Sequence, residues 1–191
     1  TQEETSSDDK KVFVYPADQD VSNLLPSSGG SDSVAVMYKP LYDPLYIINN
    51  AETRYYLVDK LEVSDDGLNI KLHFNENAKW HDGEPVTADD VVFTCKVYGS
   101  PTVAAVRQNN VSPFAGFKES DDSLAVEAVD EHTVKFTCTE PTNIDFLFFI
   151  KFRDIYILPE HLLGDLPLDQ IRTSNYWDAP IGSGPCVYEN Q

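Results

Sequence analysis

Four consecutive residues, Trp80-His81-Asp82-Gly83, put an aromatic ring, an imidazole and a carboxylate together ahead of a predicted helix. Those groups could run general acid–base chemistry or ligate a metal. The remaining histidines, His73, His132 and His161, show no His-x-x-x-His spacing to complete a metal set. The structural reading is a turn that packs Trp80. Asp89 and Asp90 have the composition of a glycosidase carboxylate pair. Adjacent helix residues, however, point about 100° apart, so the two cannot address one bond well. Both are read as first-turn residues, where the helix dipole favours negative charge.

The three cysteines offer no nucleophile. Cys95 and Cys138 fall on apolar faces and read as buried thiols, with their pairing left open. Cys186 follows Pro185 with no histidine or second cysteine beside it. Gly182-Ser183-Gly184 has the look of an anion-binding loop but lacks the Gly-Lys-Ser/Thr that would follow. Asn110-Val111-Ser112 matches a glycosylation triplet that is common by chance. No catalytic residue, metal site or cofactor is expected from these groups.

The elements that position them are legible in the spacing. Leu61 and Val63 lead into Ser64-Asp65-Asp66-Gly67, a turn whose glycine can take positive φ. Leu68, Ile70, Leu72 and Phe74 then alternate with polar residues, which predicts a hairpin with one buried face. A second hairpin is predicted through Leu124, Val126 and Ala128, turning at Asp130-Glu131 and returning through Val134, Phe136 and Cys138. Between them, Thr87-Ala88-Asp89-Asp90 has capping-box form. Ala88, Val91, Val92 and Cys95 follow on one helical face.

Lys11 to Tyr15 reads as a first strand and 18–33 as a loop. Val34 onward reads as a helix ending before Pro40, then an irregular apolar segment to Ile48. Ile155 to Leu158 reads as a short buried strand stopped by Pro159, with a helical turn from Glu160. The class is α+β, with antiparallel hairpins instead of βαβ units.

The 191 residues suffice for a core that buries about 70% of the unfolded chain's surface. With 32 acidic and 14 basic residues, the formal charge is −18. Nucleic acid and anionic membrane surfaces are therefore disfavoured as partners. The first ten residues, Thr1 to Lys10, are polar and acidic, without the apolar stretch of a signal peptide. Alone, they suggest a frayed end of a cytosolic protein.

Several motifs fall in an order that changes this picture. Leu68 to Phe74, then Asn77 to Phe93 with its Trp80-His81-Asp82-Gly83 and Pro85-Val86-Thr87-Ala88-Asp89-Asp90, closely resembles the signature of the peptide-type (family 5) extracellular solute-binding proteins of ABC transporters. Ser64 to Gly67 resembles the family's preceding turn. Leu158-Pro159-Glu160-His161 is similar to its Leu-Pro-Lys-His segment, and Pro180 to Pro185 to its Pro-x-Gly-Thr-Gly-Pro segment.

The resemblance implies a periplasmic-binding-protein-like fold, of which this chain holds the N-terminal part of lobe I. It implies a flexible tether at 1–10, partial lobe I at 11–32 and 172–191, and the family's inserted α+β domain at 33–171, with lobe II absent. It implies capture of peptides outside the cytoplasmic membrane and delivery to permease subunits. The membrane is reached only through a lipid anchor upstream. By position, Asp20, Val21 and Ser22 correspond to the segment whose backbone pairs with an extended peptide. The first ten residues then read as the tether of an exported protein.

Two departures bear on the ligand. Leu24-Leu25-Pro26 stands where the family has Leu-Asp-Pro, and Cys186 replaces its tyrosine. Relatives that carry nickel, haem or oligosaccharide are therefore alternatives, and a secreted carboxylate-dependent hydrolase is the competing class.

Overall fold

In the computed structural model, residues 38–49, 52–143 and 155–189 are described. The expected first strand, the 18–33 loop and Asp20-Val21-Ser22 lie outside them, as does the body of the helix expected from Val34. The described residues hold six strands: β1 (Tyr46–Asn49), β2 (Glu52–Tyr55), β3 (Val58–Val63), β4 (Asn69–Phe74), β5 (Val126–Asp130) and β6 (Thr133–Thr137). They also hold the helices α1 (Ala88–Gly99) and α2 (Glu160–Leu163), with 3-10 turns at Gln108–Val111, Leu168–Thr173 and Asn175–Asp178.

Both predicted hairpins form and join edge to edge. The four-stranded antiparallel sheet runs β3-β4-β6-β5, with β4 pairing Ile70 to Phe136 and Leu72 to Val134. Gly67 takes φ +70, as the turn requires. Ser64 Oγ accepts from Asn69 N–H and Asp66 Oδ1 from Leu68 N–H, closing the loop locally. Each edge strand carries a register shift, at Val58/Lys60 and at Ala128/Asp130. Such irregularities disrupt the flat row of backbone groups that invites edge-to-edge pairing.

The segment expected to be irregular up to Ile48 is instead partly a strand. β1 pairs antiparallel with β2, Tyr46 opposite Tyr55. Tyr46 is buried although its partner is half exposed. The sequence there lacks the strict alternation that marks a half-buried strand, so the pairing is not legible from periodicity.

Helix α1 begins at the predicted cap. Thr87 N–H donates to Asp90 Oδ2 at 2.8 Å, the return half of the capping box. Thr87 Oγ1 lies 3.4 Å from the same oxygen. Thr87→Ala should therefore cost at most about 1 kcal/mol and Thr87→Ser almost nothing. Equal losses in urea denaturation would point to packing of the Thr87 methyl group instead.

The helix is buried more widely than one apolar stripe predicts: nine of its twelve residues are buried. Val91, Cys95 and Tyr98 join Ile70, Leu72, Val134 and Phe136 on the sheet. Phe93 and Val97 join a second cluster with Leu158, Leu163, Ile171 and Trp177.

That second layer corrects another expectation. Ile155 to Leu158 is buried but carries no strand ladder among the described residues. A buried backbone group needs a partner, and here helix side chains supply it. Leu158 N–H donates to Thr94 Oγ1 at 2.8 Å, and that hydroxyl donates to Asp90 O at 2.7 Å. α2 then opens after Pro159 as expected.

Candidate functional site

The residues singled out for chemistry meet at one junction. Trp80 is 2% exposed, and its indole Nε1–H donates to Asp90 Oδ2 at 3.1 Å. Asp90, itself 3% exposed, accepts on the other oxygen from Glu160 N–H at 2.7 Å. One carboxylate thus binds the Trp80 turn, the start of α1 and the start of α2. Burial raises the Asp90 pKa, and the hydrogen bonds from Thr87, Glu160 and Trp80 oppose that rise. Asp89 is exposed and separate, so the two carboxylates share no common space.

His81 faces the other way, toward the Gly-Ser-Gly segment. His81 N–H donates to Gly182 O at 2.8 Å, and Gly182 N–H donates back to His81 Nδ1 at 3.1 Å. His81 Nε2 lies 2.7 Å from Gly184 O. The same segment is laced to the chain near Pro40. Gly184 N–H donates to Leu41 O at 2.8 Å, Cys186 N–H to Pro40 O at 3.1 Å, and Asp43 N–H to Ser183 Oγ at 3.2 Å. Tyr176 OH donates to Ile181 O at 2.5 Å.

Glycine is required by this close approach. A Cβ on Gly182 would sit 1.8 Å from Leu41 O, and one on Gly184 2.6 Å from Pro40 O. Gly182-Ser183-Gly184 is therefore a docking strip whose two glycine amides are used within the protein, not an anion cradle.

Asp82 completes the junction. His161 Nε2 donates to Asp82 Oδ2 at 2.9 Å, and its ring lies 6.1 Å from the Trp80 indole. Burial pushes the Asp82 carboxyl up, but hydrogen bonds from His161 and from Glu84 N–H outweigh it and hold the group below the ordinary value. Gly83, at φ +98, makes the turn possible.

His73 pairs with Glu62 on the sheet, and His132 sits in a turn where its backbone N–H donates to Asp130 Oδ1 at 2.9 Å; neither reaches the junction. Among the described residues, no group of three or more His, Cys, Asp or Glu side chains could hold a metal ion. Cys95 and Cys138 are buried free thiols, with the Cys95 thiol pushed up to about 12 by burial, while Cys186 is exposed. What the junction can do chemically is hold five segments in place: the Trp80 turn, the starts of α1 and α2, the 181–186 strip and the chain at 40–43. Sequence reasoning missed Asp90 as its hub. The available signal was the Thr87-x-x-Asp90 capping pattern, which placed Asp90 at the helix start but not its distant donors.

The interlock joins the motifs singled out in the sequence into one site. The model of bacterial extracellular solute-binding proteins, family 5 Middle, matches residues 52–190. The chain belongs to that family. Its periplasmic-binding-protein-like fold is also that of solved relatives. It superposes on the oligopeptide-binding protein AppA of Bacillus subtilis, solved with a nonapeptide, with TM-score 0.75 and 25% identity over 92% of this chain and 32% of that one. In sequence, AppA is 28% identical over 86% of the chain. The ABC transporter substrate-binding protein CtaP of Listeria monocytogenes gives TM-score 0.71 and 30% identity, covering 90% of this chain and 33% of that one. NikZ of Campylobacter jejuni, solved with Ni(L-His), shares the fold with TM-score 0.69 at 24% identity, over 91% of this chain and 32% of that one. The chain spans about a third or less of its curated relatives: 32% of AppA and 28% of a Brucella ovis protein 29% identical to it.

Proposed function

We propose that this chain is part of the substrate-binding component of an ABC importer that captures peptides outside the cytoplasmic membrane and delivers them to permease subunits. The observation that carries the reading is the match of nearly the whole chain to AppA, a protein solved with a nonapeptide. The role is binding and release by domain closure, without catalysis. In keeping with that, the Trp80-His81-Asp82 cluster and Asp90 are consumed in mutual hydrogen bonds, which disfavours the hydrolase reading. Attachment outside the cytoplasm is through a lipid anchor or by residence in the periplasm. Among the described residues no helix is long and apolar enough to cross a membrane.

In this reading residues 33–171 are the inserted α+β domain and 11–32 with 172–191 are parts of lobe I. The ligand contacts offered by this chain are Asp20, Val21 and Ser22, whose main chain would pair with an extended peptide and so tolerate varied side chains. Sites of this kind bury most of a ligand between two walls, and one wall cannot offset the ordering cost of a flexible peptide. The expected result in calorimetry is binding of mixed di- to pentapeptides by the full-length protein and none by the 191-residue chain. Micromolar binding by this chain alone would place the pocket within it and sink the two-lobed reading. Nickel–histidine, haem and an oligosaccharide belong in the same titration. Tight binding of one of them with no response to peptides would replace the peptide assignment.

A further inference from the structure

The hydrogen bonds of His81 assign its protonation state. Nδ1 accepts from Gly182 N–H, so it carries no proton, and Nε2 carries the proton it donates to Gly184 O. Only the neutral Nε2–H tautomer satisfies both contacts. A proton added at Nδ1 would set one N–H against another across 3.1 Å.

From this geometry we infer that His81 is a pH-sensitive positioning residue: its protonation releases the 181–186 strip from the Trp80 turn. The inference rests on the junction alone and is independent of which ligand the protein carries.

The groups around the imidazole favour two discrete arrangements. From the segment near Pro40, Asp43 is the carboxyl that interacts electrostatically with His81, and its backbone N–H holds Ser183. Burial raises the Asp43 pKa, while His81 works to lower it. An imidazolium at His81 would thus be drawn toward Asp43 as it loses Gly182. On its own turn, Asp82 is engaged by His161 of α2. Tyr176, beneath the strip, keeps its proton because burial raises its pKa, and its hydroxyl stays on Ile181 O.

Hydrogen exchange read by mass spectrometry tests this, with peptides covering 181–186 and, as reference, 91–98 in α1, which holds no histidine. Between about pH 8 and about pH 5, the range in which histidines change charge, protection of 181–186 should fall roughly tenfold, the equilibrium factor of one lost hydrogen bond. The α1 reference should not change after correction for intrinsic rates. His81→Gln, whose amide can accept and donate without titrating, should abolish the fall, whereas His161→Asn should leave it in place. No fall in the wild-type protein, or an equal fall in H81Q, would overturn the inference. So would loss of the effect in H161N. Should H81Q not fold, imidazole 15N shifts of the wild-type protein decide. A bare Nδ1 with protonated Nε2 at about pH 8, giving way to imidazolium as the strip opens, supports the inference. A proton on Nδ1 at that pH refutes it.

Discussion

Asp90→Ala should destabilise the protein by about 3–5 kcal/mol, the range for removing one partner of a buried charged network. The loss would not come from one contact. Three donors would be left behind: Trp80 Nε1–H, Thr87 N–H and Glu160 N–H. Two belong to the backbone and cannot be mutated away, and the third sits on an indole 2% exposed. Each buried donor left without an acceptor costs about 1–3 kcal/mol. Asp90→Asn separates charge from connectivity. Its single carbonyl can keep Trp80 and Thr87 on one side, but the amide then faces Glu160 N–H, donor to donor. A loss of about 1–3 kcal/mol is expected, with the start of α2 released first. Urea denaturation gives both values, and exchange of the Glu160 amide locates the defect. If D90A and D90N both cost less than about 1 kcal/mol, the level of an ordinary surface substitution, Asp90 is not the hub.

Gly182→Ala should be about as damaging, at roughly 3–5 kcal/mol, because the new methyl meets backbone that cannot turn aside. The clash is with Leu41 O at 1.8 Å and Leu41 C at 2.7 Å. Relieving it lifts the strip and breaks the bonds to His81, Leu41 and Pro40 together. Gly83→Ala is the matched control. Gly83 has φ +98, but beyond its own chain neighbours nothing lies within 4 Å of the place its new methyl would take, so only backbone strain of about 1–3 kcal/mol is at stake. Thermal melts of the two variants should differ clearly. Near-equal losses would mean that conformational strain, not close approach, is what these glycines serve.

The ranking of these two sites also shows where the family signature derives its physical meaning. Trp80, His81, Asp82, Asp90, His161 and Gly182 each have an ordinary local explanation, such as a turn, a cap or a loop. Their shared role appears only when the partners are named: residue 81 with 182 and 184, residue 90 with 80, 87 and 160, residue 82 with 161.

The local elements were written in the sequence. Strict alternation from Leu68 to Phe74, the Ser64-to-Gly67 turn, the second hairpin and the cap at Thr87 depend on neighbours a few residues away, and all formed as read. The motif order likewise identified the family without coordinates. Local pattern failed where burial came from elsewhere. Ile155 to Leu158 looks like a strand because it is continuously apolar, yet Thr94 and the second core claim it. The pairing of Tyr46–Asn49 with Glu52–Tyr55 was not legible either, because these short runs carry no strict alternation, and only the folded chain sets Tyr46 opposite Tyr55. Asp90 read as a dipole-stabilised first-turn residue; tertiary structure buried it and gave it donors from three directions. Periodicity reports which face of an element is apolar, but not which distant segment will close over it. Here that closure joins residues 103 apart in the chain, from His81 to Gly184, and only the folded backbone fixes which donor meets which acceptor.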